Sequence, residues 1–220
     1  MGCYTTWWRK TGGGEPPPPP SRKISFTGHR NINESSFRPA VADTLSKIKA
    51  KYPDALVNVG GAIGTDMVAG EEALKAGLDI AMVLPFAYDN EKARWAHTTY
   101  WPKAQRDRLN YLVQNARHIH VVNDTTKVTA KGYHARNTAL VDHGDVVLSR
   151  WDGRGHGGTY NCIKQSNGKG VPVFDAGTLK QNTRMIIALM RMFMEMSEDE
   201  KSELVKKYLL GLGSPQEEEA

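Results

Sequence analysis

The sequence predicts an α/β fold, a doubly wound and largely parallel sheet with helices on both faces. Three observations lead there. Short apolar runs alternate with segments of helical spacing from Lys23 to Phe174, the pattern of repeated βαβ units. Glycine-bearing loops follow three of those runs, where open sheets of this kind take ligands. The chain has 220 residues, 40% of them hydrophobic, which is enough to bury one such core without a disulfide or metal.

The elements follow in order. Lys23-Ile24-Ser25-Phe26-Thr27 reads as the first strand, ended by Gly28. Ser36 to Tyr52 has helical spacing with Val41, Leu45 and Ile48 on one face, and Pro53 stops it. Ala55 to Val59 is a second strand and runs into Gly60-Gly61. Thr65 to Ala76 is a helix closed by Gly77, and Asp79 to Leu84 is a third strand stopped by Pro85. Helical pattern recurs around Glu91 to Ala96 and from Lys103 to Asn115. Then come a strand (His118 to Val122), a helix (Ala130 to Asp142), a strand (Asp145 to Ser149), a helix (Gly157 to Asn167) and a last strand (Val171 to Phe174). Leu179 to Met194 and Ser197 to Leu210 read as two closing helices, the second opened by a Ser197/Glu200 capping box.

Outside this frame, residues 1–22 read as a flexible tail or linker, with Gly12 to Gly14 and the Pro16 to Pro20 run. Trp7 and Trp8 are unusual there and point to docking, on the domain itself or on a neighbour. Residues 23–212 are expected to form one domain, and 213–220 an acidic tail. Met1-Gly2-Cys3 fits a loose acylation pattern, with an unmodified tail as the plainer reading. Only two cysteines, Cys3 and Cys162, are present and nothing suggests that they pair, so a reducing, cytoplasmic setting is expected. No apolar run reaches the roughly 18–20 residues that cross a bilayer, and no secretory leader is visible. A net charge of +5 suits a phosphorylated ligand or light nucleic-acid contact without choosing between them. His29, His134, His143 and His156 are scattered, with no metal-ligand spacing among them or with the two cysteines, so neither metal nor cofactor is expected.

The three loops carry the candidate chemistry. Thr27-Gly28-His29-Arg30 offers close backbone approach and a guanidinium fork for phosphate. Gly60-Gly61-Ala62-Ile63-Gly64-Thr65-Asp66 runs into a helix, so its backbone N–H groups and the positive helix end are expected to meet an anion. A side chain at Gly61 is then expected to block the ligand while sparing the fold. Trp151-Asp152-Gly153-Arg154-Gly155-His156-Gly157-Gly158-Thr159 is again strand, loop and helix. The second loop has no P-loop lysine and not the dinucleotide spacing, which disfavours triphosphate hydrolysis. Trp95, Tyr100 and Trp101 read either as an aromatic wall for a base or as core packing, and Arg106-Asp107-Arg108 as a solvated helix face.

Taken in order, these three loops resemble the SLOG superfamily over about residues 23–175. That Rossmann-like group includes the DNA-processing SMF proteins and the LONELY GUY enzymes, and the likeness is to its small stand-alone branch. The resemblance implies phosphate on Gly60 to Thr65 and on Gly157 to Thr159, assisted by Arg30 and by Arg136 of the Arg136-Asn137 pair. Asp66 and Asp152 become candidates for sugar hydroxyls. The LONELY GUY pattern places a catalytic glutamate three residues after the threonine of its glycine loop. Here that position is Cys162, preceded by Asn161. The expected role is therefore sensing or sequestering a nucleotide or nucleotide-derived ligand, as a monomer or homo-oligomer. One rival is an N-glycosidic hydrolase or transferase with a carboxylate from Glu71, Glu72 or Glu91. The other is a DNA-binding module like the SMF proteins, with nucleic acid the less favoured partner because basic residues are spread out.

Overall fold

In the first parallel strand, Ile24, Phe26 and their neighbours Ser25 and Thr27 are all buried, as required of a strand covered on both faces. The computed structural model describes residues 6–8, 22–178, 190 and 193–209. In chain order these form β1 (Thr6–Trp8), β2 (Lys23–Gly28), α1 (Glu34–Lys51), β3 (Leu56–Val59), α2 (Thr65–Lys75) and β4 (Asp79–Leu84). There follow β5 (Tyr88–Asp89), β6 (Arg94–Trp95), a short 3-10 turn (Ala96–Thr98), α3 (Lys103–Asn115), β7 (His118–Val121) and α4 (Ala130–Asp142). The described chain closes with β8 (Val146–Arg150), α5 (Gly158–Gly168), β9 (Val173–Asp175) and α6 (Glu198–Leu209).

The main sheet has the order β1-β7-β4-β3-β2-β8-β9, and every neighbouring pair except β1 with β7 is parallel. Phe26 sits opposite Leu148 and Ile24 opposite Val57. Helices α1, α2 and α3 pack side by side, while α4 packs on α5, which gives the two helical layers. Alternation along β8 shows the same division: Leu148 joins the large core with Phe26, Leu45 and Met67, and adjacent Val147 joins Trp151, Ile163 and Val173. No described helix is long and apolar enough to cross a membrane.

Local chemistry explains the boundaries. The Asn33 side chain caps α1 by accepting from the Ser36 N–H. At α6 the Ser197 N–H donates to Glu200 Oε2 at 2.8 Å and the Glu200 N–H to Ser197 Oγ at 3.3 Å, the reciprocal box expected there. Two segments depart from expectation. Glu91 to Ala96 is not helical: it holds the turn and second strand of the β5–β6 hairpin and leads into the 3-10 turn. The Asp89 carboxylate closes that turn by accepting from both the Lys92 N–H and Nζ. Thr6–Trp8 lies antiparallel along β7, with Trp7 opposite Ile119, so this part of the amino-terminal segment docks on the domain's own sheet. That pairing covers an otherwise open sheet edge. The acylation pattern, the proline run, the acidic tail and most of the helix expected over Leu179 to Met194 lie outside the described residues.

Candidate functional site

The chain fills the sheet from β2 through β3 and β4 to β7, then returns to the other side of β2 with β8. Loops after β2 and β8 therefore diverge at their carboxyl ends and leave a crevice, the place where such sheets bind ligands. A cleft of about 780 Å3 opens there, within the range of small-ligand sites. Gly28, His29 and Arg30 line it from the first loop, Asp66 from α2, Arg136 and Asn137 from α4, and Gly157, Gly158 and Thr159 from the start of α5. Gly60, Gly61, Gly64, Thr65 and Asp152 are not in its wall.

The start of α5 is open. Gly157 is the N-cap residue, with φ 94° and no side-chain cap, a conformation that favours glycine. A Cβ built on Gly157 or Gly158 would meet none of the described residues within 4 Å. The first-turn N–H groups of a helix have no partner within it. Here they adjoin the cleft, and the positive helix end adds to their pull on an anion. Asn137 holds the turn in place: its Nδ2 donates to the Gly158 carbonyl at 3.1 Å and to Asn161 Oδ1 at 3.2 Å.

The start of α2 is closed. The Thr65 N–H and hydroxyl both donate to the His29 carbonyl, at 3.2 and 3.1 Å. The Ala62 N–H donates to Asp66 Oδ2 at 3.3 Å. A Cβ on Gly28 would strike Thr65, and one on Gly64 would strike the backbone of His29 and Arg30, so the two loops interlock. Gly61, at φ 67°, points into the core, where a Cβ would lie 2.7 Å from Leu84 Cδ2. The Gly60–Thr65 turn, expected to take phosphate on its backbone, instead gives two of its N–H groups to the protein and packs its glycines against neighbours.

Asp66 and Arg136 form the charged floor. Arg136 Nη1 lies 3.2 Å from Asp66 Oδ2, in the space that a Cβ on Gly60 would occupy. Burial pushes the Asp66 carboxyl above its usual range, while Arg136 and the Ala62 and Gly60 backbone pull it back. Arg136 Nε is buried and has no hydrogen-bond partner among the described residues. Arg30 and Lys164 add two more cations to the lining, and Asp66 is its lone carboxylate.

No protein-family model matches the chain, and no curated protein does. Solved structures do. DNA processing protein A from Streptococcus pneumoniae superposes with a TM-score of 0.58 at 15% identity, covering 85% of this chain and 61% of its own. DNA processing protein A from Helicobacter pylori, a structure reported for its single-stranded DNA binding mode, does so with a TM-score of 0.53 at 18% identity, covering 81% and 83%. The fold that these structures share with the chain is a Rossmann-like α/β sheet. The chain thus spans less than two thirds of the pneumococcal protein, and at these identities the likeness concerns the fold.

Cys162, which the LONELY GUY resemblance sets at the glutamate position, is buried. Cys162 is 1% exposed, and burial pushes its thiol up to about 11 despite the opposing Thr27 hydroxyl, so it is neutral at pH 7. The neighbouring Asn161 lines the cleft in its place. The other carboxylates considered stand elsewhere. Glu71 accepts from Arg38 at 2.5 Å and Arg108 at 2.6 Å, Glu72 accepts from Arg38 and Lys75, and Glu91 is exposed in the hairpin turn. Arg108 is accordingly part of an ion-pair network with Glu34 and Glu71, not a solvated charge. Asp152, proposed for a sugar hydroxyl, is held by Arg154 Nε at 2.7 Å and faces His29 Nε2 at 3.0 Å. Among the described residues, no group of three or more His, Cys, Asp or Glu is placed to hold a metal ion.

Tyr133, His134, Asn161 and Lys164, which sequence reasoning did not assign to the site, also line the cleft. Ala130, Tyr133, His134 and Asn137 recur at helical spacing on α4, a pattern that marks one face once Asn137 is placed.

Proposed function

We propose that the protein binds a nucleotide or nucleotide-derived ligand, its phosphate resting on the Gly157–Thr159 turn and on Arg136, in a sensing or sequestering role. The observation that carries this reading is the open start of α5 beside a buried guanidinium whose Nε lacks a partner among the described residues. A phosphate oxygen at that position completes the arginine's hydrogen bonding and meets first-turn N–H groups. Arg30 and Lys164 supply further attraction, and Asp66 is already ion-paired, so the cleft favours anions.

Calorimetry with AMP, ADP and ADP-ribose tests the reading, alongside Gly158→Val. A valine at that open position leaves the melting temperature near wild type and weakens binding tenfold or more. Failure of the whole panel to bind, or native affinity in the variant, overturns the assignment.

A second reading comes from the structural likeness, since the Helicobacter protein is described for binding single-stranded DNA. The same phosphate site then holds one link of a strand. Tighter binding of a short oligodeoxynucleotide than of AMP, with affinity falling steeply in salt, favours that reading.

A further inference from the structure

Next to the cleft lies a second cavity, of about 580 Å3. Arg30 and Tyr133 line both, so they form the partition between them. The Arg30 guanidinium lies 5.9 Å from the centre of the Tyr133 ring, which fixes the partition as a cation–π pair. Loop Gly60 to Gly64 contributes to both sides as well, with Ala62 facing the cleft and Ile63 the second cavity.

The lining of the two spaces differs. In the second cavity the charges of Asp89 and Lys92 neutralise each other at 2.9 Å. The remainder includes the aromatic side chains Tyr100 and Trp101 and the hydroxyls of Thr99 and Thr126. Tyr100 is 96% exposed, an aromatic ring standing almost free on the lining. His97 is the exceptional member. It is 7% exposed, and among the described residues neither ring nitrogen completes a hydrogen bond of ordinary geometry, although the Gly61 backbone lies near enough to favour the charged form. Its ring packs edge-to-face on Trp101 at 5.4 Å.

A buried polar ring whose hydrogen bonds are incomplete is destabilising, and an apolar residue of similar size would pack against Trp101 as well. The arrangement makes sense if something else bonds to the ring. Burial, then the charges of Arg136 and Arg30, push His97 down to about 3, so at pH 7 it presents one N–H and one lone pair. A neutral donor–acceptor beside aromatic rings suits a nucleobase, whose edges carry donors and acceptors and whose faces stack. It is poorly suited to a second phosphate.

We infer that this cavity takes the base of a nucleoside 5′-phosphate whose phosphate occupies the adjoining cleft, with His97 as the hydrogen-bonding partner of the base. The inference rests on the phosphate reading above and extends it to the uncharged end of the ligand. Arg30 and Tyr133 then lie alongside the sugar, where the ligand passes from one space to the other.

The test compares four nucleoside monophosphates with ribose 5-phosphate and with adenosine, by calorimetry. At least one monophosphate binds tenfold or more tighter than ribose 5-phosphate. His97→Leu abolishes that advantage and leaves ribose 5-phosphate binding unchanged, whereas His97→Gln, which keeps a donor and an acceptor, restores part of it. Should the leucine variant not fold, the 15N resonances of the His97 ring in the wild-type protein report directly: they move with the monophosphate and stay fixed with ribose 5-phosphate. Equal affinity for ribose 5-phosphate and every monophosphate, equal weakening of both by His97→Leu, or a silent His97 ring overturns the base subsite while the phosphate site stands. Adenosine binding as tightly as AMP and moving the His97 ring overturns the phosphate reading and keeps a base in this cavity. No binding by any of them overturns both.

Discussion

The two glycine turns at the head of α2 and of α5 are alike in sequence, each leading from a strand into a helix with a threonine in its first turn. In space they differ. Around the first, every added Cβ at Gly60, Gly61 or Gly64 meets the protein, and the Thr65 and Ala62 N–H groups are already bonded. Around the second, a Cβ at Gly157 or Gly158 meets none of the described residues within 4 Å. The first set of glycines lets parts of the protein approach one another, and the second leaves room for something that is not protein. A glycine-rich turn identifies a close approach of backbone; only its surroundings say whose.

The largest expected effect comes from Gly61→Val. It forces a β-branched residue to a positive φ and drives its Cβ to within 2.7 Å of Leu84. Strain and overpacking together cost up to about 6 kcal/mol. Urea denaturation should show the variant largely unfolded, and a stable variant would mean that the α2 turn is as open as the α5 turn.

Arg136→Ala follows. Removing one partner of a buried ion pair costs on the order of 3 kcal/mol, the low end of the usual range because Asp66 is able to take up a proton. The sign with pH is set by burial, which raises the Asp66 carboxyl. Stability linked to Asp66 is therefore fullest below its unfolded value near 3.8 and declines as the pH rises. Without the opposing Arg136 charge the decline steepens. The deficit of the variant relative to wild type is largest at neutral pH and shrinks toward pH 4, and adding Asp66→Asn removes the trend. Thermal melts across pH 4 to 8 measure it. A deficit that does not change with pH contradicts the pairing.

Much of this was legible in the sequence, for a physical reason. Parallel strands buried on both faces must be continuous apolar runs, and their helices must keep helical spacing, so β2, β3, β4, β7, β8 and β9 and their helices show their period. The hairpin over Tyr88–Trp95 did not, because two-residue strands have no period and its charged turn mimics a helix face. Thr6–Trp8 was hidden because a three-residue strand paired far along the chain leaves only a hint, the paired tryptophans. For the site, the residues that meet in the cleft were named from all three loops, yet the roles of the two glycine turns were indistinguishable by residue type. The aromatic group split three ways. Trp95 is core, Trp101 packs beside it, and Tyr100 is free in the second cavity. His97, two residues after Trp95, had no sequence mark at all.

Acid titration gives a further contrast. His97 goes from an ordinary 6.5 to about 3 through burial and then the Arg136 and Arg30 charges, so its contribution is present above 6.5 and is lost as the pH falls through 3. At most that is roughly 5 kcal/mol, felt only well below neutral. His97→Gln should lessen the loss of stability between pH 6 and 4, measured by urea titration, and an unchanged slope would show the ring to be freely solvated. The smallest effects belong to the α5 end. Gly158→Val should alter stability by less than about 0.5 kcal/mol, as expected of a substitution into open space. Cys162, on the buried side of the same helix, should resist iodoacetamide at pH 8 in the native protein and react only after unfolding.

The most direct test of where the anion goes is an amide NMR titration of the wild-type protein with AMP. Gly158, Thr159 and Tyr160 N–H resonances should move saturably, and those of Ala62 and Thr65, which already donate within the protein, should hold still. Movement of Ala62 and Thr65 with Gly158 and Thr159 unmoved would contradict the account and return the phosphate to α2.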